Sequence, residues 1–203
     1  MMGIRRLQDK FIVALGQHNI PGLRWVLEGF NYYDTQRVKE VGAERAAAEW
    51  IVRCGGKVKF AEIGDNFDDY NVLIKRTAQL DPRVPADNVT IETIWAENAS
   101  VTGFGCRHFE NLKSIKNAHF IGCKNLHDFG IEYIGQHVGD RLKVLQISDC
   151  RRITEFGLEH LKYFSALDRL ILTNLKGVHG KSKMAEKLQK MPALQNTKLE
   201  IDI

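Results

Sequence analysis

The residues able to do chemistry are the histidines, cysteines and lysines, and their spacing matches no catalytic motif. None of the seven histidines lies in an HExxH or HxH motif, and the four cysteines form no CxxC pair. There is no glycine-rich phosphate loop after a strand pattern. The sequence therefore predicts a protein that is not an enzyme and that holds its cysteines as reduced thiols.

Lysine is concentrated near the C-terminal end, between positions 176 and 198, where Glu186 is the one acidic residue. Met184, Leu188 and Met191 recur there at helical spacing, so the lysines flank the apolar side of a short helix. We predict that this basic patch contacts anionic lipid or an acidic protein, and the alternative is a solvated face. The predicted contact residues are Lys183, Lys187 and Lys190.

Overall composition limits the classes of partner. The net charge of +4 is too small to indicate nucleic acid as a partner. No apolar run approaches the ~18 residues that a membrane-spanning helix needs. We therefore expect protein partners and, at most, peripheral contact with a membrane surface.

Two segments, 115–134 and 142–161, align when one is shifted by 27 residues. This is the cysteine-containing leucine-rich-repeat pattern, in which apolar residues point inward from a short strand and a helix returns outside. Weaker copies begin near Ile91, Leu167 and Leu194. The aligned pairs are Ile115 and Leu142, Ala118 and Leu145, Phe120 and Ile147, Cys123 and Cys150, Leu126 and Ile153, and Gly130 and Gly157.

These repeats predict an α/β fold, a short leucine-rich-repeat solenoid with parallel strands and outer helices. It occupies residues 89–203 in about four repeats, because one repeat cannot bury its own apolar face. Residues between the inward positions form the exposed strand face, a surface suited to a protein partner, and the alternatives are a carbohydrate or lipid ligand and a face that binds nothing. One predicted row across that face is Trp95, His119, Gln146 and Ile171, with Trp95 as the leading anchor.

The chain before the repeats divides into two parts. Residues 1–25 are basic and amphipathic, which is typical of a mitochondrial targeting segment, although an ordinary first helix is the alternative. Residues 26–88 predict a small helical capping domain. Within it, Asp34 caps a helix, a second helix stops at Gly55, Lys57–Phe60 forms an edge strand, and residues 61–88 form a long loop.

Several motifs resemble the coupling factor B family, ATP synthase subunit s. They lie at residues 31–34, 37–42, 45–55, 69–71, 150–157 and 172–178. The resemblance implies a peripheral protein on the matrix side of the mitochondrial inner membrane. It would bind membrane-sector or stalk subunits of ATP synthase and support the coupling of proton transport to ATP synthesis. The alternatives are an assembly factor for the distal membrane arm of respiratory complex I and a leucine-rich-repeat adaptor of a ubiquitin ligase.

The same resemblance implies a magnesium site at the junction of the two domains. Its positions here are Gly55 and Glu97, and Glu97 replaces a threonine of the family pattern. A carboxylate suits a hard cation such as Mg²⁺. The alternative is that Gly55 only ends a helix. The family's Cys-x-Cys pair becomes Ile121-Gly122-Cys123, so one thiol of that pair is missing.

Overall fold

The structure is a computed structural model that describes Ala14, Gly22 and residues 24–81 and 83–203. Nearly all of the predicted targeting segment, residues 1–25, lies outside these residues. The helices are α1 (Arg24–Phe30), α2 (Thr35–Val41), α3 (Ala43–Arg53), α4 (Tyr70–Thr77), α5 (Asp128–Val138), α6 (Glu155–Glu159) and α7 (Lys181–Gln189). The strands are β1 (Lys57–Phe60), β2 (Asn66–Phe67), β3 (Ile91–Glu97), β4 (Asn117–Ile121), β5 (Val144–Ser148), β6 (Arg169–Thr173) and β7 (Lys198–Asp202). Short 3₁₀ helices lie at Pro85–Asp87, Gly105–Phe109, His160–Tyr163 and Pro192–Leu194.

Helices α2 and α3 begin and end where their side chains predict. The Asp34 carboxylate accepts hydrogen bonds from the backbone N–H groups of Gln36 at 2.9 Å and Arg37 at 3.0 Å, which caps α2. Helix α3 ends at Arg53, with Cys54 as its C-cap, and Gly55 follows with φ of 85°, a left-handed conformation that favours glycine. Both predicted boundaries are confirmed.

A seven-stranded sheet, in the order β2-β1-β3-β4-β5-β6-β7, organises the described chain. Strand β1 is antiparallel to both neighbours, and all pairs from β3 to β7 are parallel. The predicted α/β class is thus observed, with a mostly parallel sheet. The predicted alignment of residues is also confirmed, because Ala118 lies opposite Leu145 and Phe120 lies opposite Ile147.

The apolar core is a continuous layer between the sheet and the helices, and the inward residues of the central strands are fully buried. The elements that return outside are unequal. Helix α5 is a full helix, whereas α6 is short and continues as the 3₁₀ helix His160–Tyr163. The repeat pattern predicts that the returning helices are formed by the residues after Gly130 and Gly157, and this is wrong because both glycines lie inside α5 and α6.

Two predictions for the segment before the repeats are also wrong. Strand β1 is not an edge strand, because β2 pairs with its outer side. The predicted loop at 61–88 contains β2 and α4. Helix α4 begins at a clear cap, where the Asp69 carboxylate accepts from the N–H groups of Asn71 and Val72. The helix was missed because Leu73 is its one fully buried apolar residue, which leaves a weak helical pattern.

Asn31 fixes the helical segment against the turn that follows β3. Its side chain is buried and donates hydrogen bonds to the carbonyl oxygens of Leu27 at 2.9 Å and Ser100 at 2.8 Å. Its amide oxygen accepts from Thr102 N–H at 2.9 Å and from Trp50 Nε1–H at 3.2 Å. Since every polar atom of this buried side chain is paired, the two parts of the chain meet in one defined arrangement.

Candidate partner-binding surfaces

The predicted row of side chains on the open face of the sheet is confirmed by the strand register. Trp95 lies opposite His119, His119 opposite Gln146, and Gln146 opposite Ile171. The Trp95 and His119 rings are stacked, with centroids 6.1 Å apart and planes 8° apart. Both rings are half-buried, so each keeps an accessible part. We call this set, Trp95, His119, Gln146 and Ile171, the central row.

Hydrogen bonds connect the central row to the adjacent row of the same face. His119 Nδ1 lies 3.0 Å from Gln146 Oε1, and Gln146 Nε2 donates to Ser148 Oγ at 3.2 Å. Thr173 Oγ1 lies 2.7 Å from Ser148 Oγ. The side chains are thereby held in fixed positions before a partner arrives, which lowers the entropic cost of binding.

Ion pairs lie at both ends of this face. Glu200 extends the central row beyond Ile171, and its carboxylate contacts Arg169 at 2.9 Å and Lys198 at 3.1 Å. Hydrogen bonds from Arg169 and Lys198 hold the pKa of Glu200 below its usual value. At the other end, Glu92 pairs with Lys59 at 2.8 Å and Lys116 at 3.4 Å. The middle of the face is therefore aromatic and amide in character, and its ends are charged.

The two residues of the predicted magnesium site, Gly55 and Glu97, lie in one cavity of about 210 Å³. Asp68 also lines it, and no spacing of residues in the sequence indicates this contact. The cavity is further lined by Gly56, Lys57 and Trp95. Two carboxylates fit a hydrated hard cation, because Mg²⁺ is commonly held by one or two carboxylates and keeps several waters. Within the described ranges, no group of three or more histidine, cysteine, aspartate or glutamate side chains is placed to hold a metal ion.

The predicted lysine residues lie on α7 and around a second cavity. Met184 and Leu188 are buried, as predicted, and the lysines lie on the outer side. Lys183, Lys187 and Lys190 line a surface groove of about 560 Å³, which we call the lysine groove. Its other lining residues are Glu159, Lys162, Glu186, Met191 and Pro192.

The lysine groove carries less free positive charge than the sequence predicts. Lys187 Nζ contacts Glu159 Oε1 at 2.6 Å, and Lys190 Nζ contacts Glu186 Oε1 at 2.5 Å. The prediction that Glu186 alone opposes the lysines is therefore wrong. Glu159 comes from the preceding repeat, and its approach depends on how α6 and α7 pack, which the linear pattern does not contain. Lys183 forms no ion pair with the residues that the structure describes.

The four cysteines are free, buried thiols. Burial raises the pKa of Cys54 to about 12 and raises the pKa of Cys106 as well. A hydrogen bond with Cys150, together with burial, raises the pKa of Cys123. The thiols of Cys54, Cys106 and Cys123 therefore stay protonated at neutral pH, and protonated, buried thiols are poor nucleophiles. The expectation of reduced, structural cysteines agrees with this arrangement.

Within the described ranges, no helix has the length and apolar character to cross a bilayer.

One histidine, His108, has a structural role that the sequence analysis missed. His108 is buried, its Nδ1 lies 2.9 Å from the Gly105 carbonyl oxygen, and its ring is stacked on Trp50. No local spacing in the sequence indicates this contact.

Comparison with known proteins assigns the chain to a family. No family model matches it. ATP synthase subunit s, mitochondrial, from Rattus norvegicus is 30% identical over 174 residues, which cover 84% of this chain and 83% of that protein. The protein of the same name from Homo sapiens is 28% identical over 174 residues, again 84% and 83% of the two chains. Distal membrane arm assembly component 2 from Drosophila melanogaster is 32% identical over 144 residues, 70% of this chain but 48% of that protein. The chain belongs to the family of ATP synthase subunit s, coupling factor B.

Proposed function

We propose that this protein is a non-enzymatic, peripheral protein of the mitochondrial inner membrane, on its matrix side. It binds membrane-sector or stalk subunits of ATP synthase and supports the coupling of proton transport to ATP synthesis. The observation that carries the proposal is the similarity to relatives named ATP synthase subunit s, which extends over 84% of the chain. A subunit name implies association with that complex. The thiols of Cys54 and Cys106 are buried and protonated, so they are poor nucleophiles for catalysis.

The architecture we propose is a leucine-rich-repeat solenoid over residues 89–203, covered by a helical domain at 26–88. Five parallel strands in register support it, as does the repeated placement of apolar residues at the same inward positions. The antiparallel strand β1 pairs with β3 and so covers the first repeat. Such a cover removes an exposed strand edge.

Two surfaces support the binding role. The central row presents a stacked Trp95 within a hydrogen-bonded face, and aromatic residues on rigid surfaces contribute strongly to protein interfaces. The lysine groove lies on the side of the sheet that carries the helices, so the protein can contact a partner and an anionic surface with different faces. We also propose that the Gly55–Glu97 cavity holds Mg²⁺, with carboxylates from Asp68 and Glu97.

The proposed function is tested by depleting the protein from cells and measuring ATP synthesis and complex assembly in isolated mitochondria. We expect proton transport and ATP synthesis to become less tightly coupled, with complex I still assembled. Re-expression of the parent protein restores coupling if the effect is direct. Normal coupling after depletion would exclude the proposal.

A second candidate is a role in assembling the distal membrane arm of respiratory complex I. The relative named Distal membrane arm assembly component 2 favours it, with 32% identity over 144 residues. In the depletion experiment this role predicts loss of assembled complex I while ATP-synthase coupling stays normal. Imaging of a C-terminally tagged protein tests the third alternative, the ubiquitin-ligase adaptor, which requires a cytosolic or nuclear signal.

A further inference from the structure

A row of basic residues follows the ends of three successive parallel strands. Each of these strands ends in a tight turn whose first residue has a left-handed backbone, and a basic residue stands two positions later. The turn residues are Gly122, Asp149 and Asn174, with φ of 67°, 55° and 49°, and the basic residues are Lys124, Arg151 and Lys176. Because β4, β5 and β6 pair in register, these basic residues occupy equivalent positions on neighbouring strands.

The three basic residues line a single surface cavity of about 540 Å³, which we call the strand-end groove. Asn98, Asp149 and Asn174 also contribute to its wall. Asp149 is the one carboxylate among the lining residues, so three positive charges face one negative charge and the lining carries a net charge of +2. The Asp149 carboxylate accepts a hydrogen bond from the Asn174 amide, which orients it along the wall.

Two of the three basic residues of this groove, Arg151 and Lys176, keep their positive charges unpaired within the described residues. Arg151 and Lys176 form no ion pair with any residue that the structure describes, and both are exposed. Lys187 and Lys190 in the lysine groove differ, because each contacts a glutamate. Neighbouring strands of a sheet are about 4.8 Å apart, well inside a Debye length of roughly 8 Å, so the cations repel one another. A bound anion would relieve this repulsion.

We propose that the strand-end groove binds a phosphate-bearing anion with at least two negative charges. Arg151 occupies the central position, and its planar guanidinium can hold two phosphate oxygens at once. Lys124 and Lys176 stand on either side as point charges for a second phosphate or for the remaining oxygens. The Asn98 and Asn174 side chains border the same groove. The ligand is either a free phosphorylated compound or the headgroup of an anionic lipid.

The test uses the full chain and two probes. Inorganic pyrophosphate is titrated by isothermal calorimetry, and phosphatidylcholine vesicles with or without cardiolipin are used in a flotation assay. Arg151→Gln and Lys176→Gln should each weaken binding about tenfold, the loss expected for one charge-assisted contact. Lys176→Arg keeps the charge and should bind as the parent does. Lys75→Gln removes an exposed lysine on another element and should leave binding unchanged.

The two probes distinguish the sources of the phosphate. Pyrophosphate binding that is lost in Arg151→Gln and Lys176→Gln identifies a free phosphorylated ligand. Cardiolipin-dependent flotation lost in the same two variants, without pyrophosphate binding, identifies a lipid headgroup. The proposal is overturned if neither probe binds the parent, or if Lys75→Gln weakens binding as much as Arg151→Gln. It does not depend on the proposed role at ATP synthase, since both probes are used without that complex.

Discussion

The indole ring of Trp50 lies flat against the imidazole ring of His108, with centroids 4.8 Å apart and planes 6° apart. Burial of His108 lowers its pKa to about 4, while the hydrogen bond with the Gly105 carbonyl opposes that shift. The imidazole is therefore neutral at physiological pH. It forms part of the contact between α3 and the 3₁₀ helix Gly105–Phe109.

The depressed pKa of His108 predicts acid sensitivity. In the unfolded chain this histidine binds a proton with a pKa near 6.5. The contribution of neutral, buried His108 to the free energy of unfolding is therefore complete above that pH. It is lost progressively as the pH falls from about 6.5 to about 4, and it amounts to about 3 kcal/mol. Urea unfolding at a series of pH values measures this slope. His108→Phe keeps the stacked ring and should flatten the slope, and an unchanged slope would contradict the assignment.

A buried carboxylate also holds the helical segment to the sheet. Glu44 Oε2 accepts from Ile91 N–H and Glu44 Oε1 accepts from Lys113 N–H, both at 2.7 Å. Burial raises the pKa of this carboxyl, and the two backbone hydrogen bonds oppose the rise. Glu44→Ala leaves two backbone donors without partners, and we expect a loss of about 2–5 kcal/mol in the free energy of unfolding. Glu44→Gln keeps one acceptor oxygen and should lose less. An exposed control, Glu40→Ala, should change stability by less than about 1 kcal/mol.

The repeat spacing predicted the strand positions well because each inward residue is buried against the next repeat. Ala118 and Phe120 therefore had to align with Leu145 and Ile147, and they do. The contacts between unlike parts of the chain could not be predicted in this way. Glu159 near Lys187, Asp68 near Glu97, and His108 against Trp50 depend on the packing of separate elements. The spacing of apolar residues along the sequence contains no information about those distances.

The ion pairs in the lysine groove predict an order of effects on membrane binding. Lys183 has no ion pair among the described residues, whereas Lys187 is already paired with Glu159. Lys183→Glu should therefore weaken binding to anionic inner-membrane vesicles more than Lys187→Glu does. Glu159→Gln frees Lys187 and should strengthen binding. Each lysine near such a surface contributes about 1 kcal/mol, and moderate salt should release the protein.

Sedimentation with vesicles at increasing salt measures this effect. The triple variant Lys183→Glu, Lys187→Glu, Lys190→Glu should remain in the supernatant at low salt. If the parent protein stays bound in high salt, an apolar interface holds it, and the lysine groove then serves only as a solvated surface.

The central row predicts a separate effect on protein partners. Trp95→Ala removes the ring that stacks on His119 but leaves the buried inward residues of β3 in place. We expect the fold to persist, with a loss of about 2 kcal/mol or more in partner binding if Trp95 is an anchor. Co-purification with ATP synthase measures the loss, and circular dichroism checks the fold. Ile171→Ala, in the same row, is a matched control for a smaller apolar truncation. Equal recovery of parent and Trp95→Ala would exclude this face as the docking site.

The Gly55–Glu97 cavity predicts stabilisation by magnesium. A cation that binds only the folded chain raises its stability by about 2.7 kcal/mol at a hundredfold excess over the dissociation constant. Thermal unfolding with Mg²⁺ and without it measures the shift. Asp68→Asn and Glu97→Gln each remove one charged ligand and should abolish the shift while leaving the fold intact, since Glu97 is exposed. Glu62→Gln, a carboxylate outside this cavity, should retain it. A shift that persists in both cavity variants would place the magnesium elsewhere.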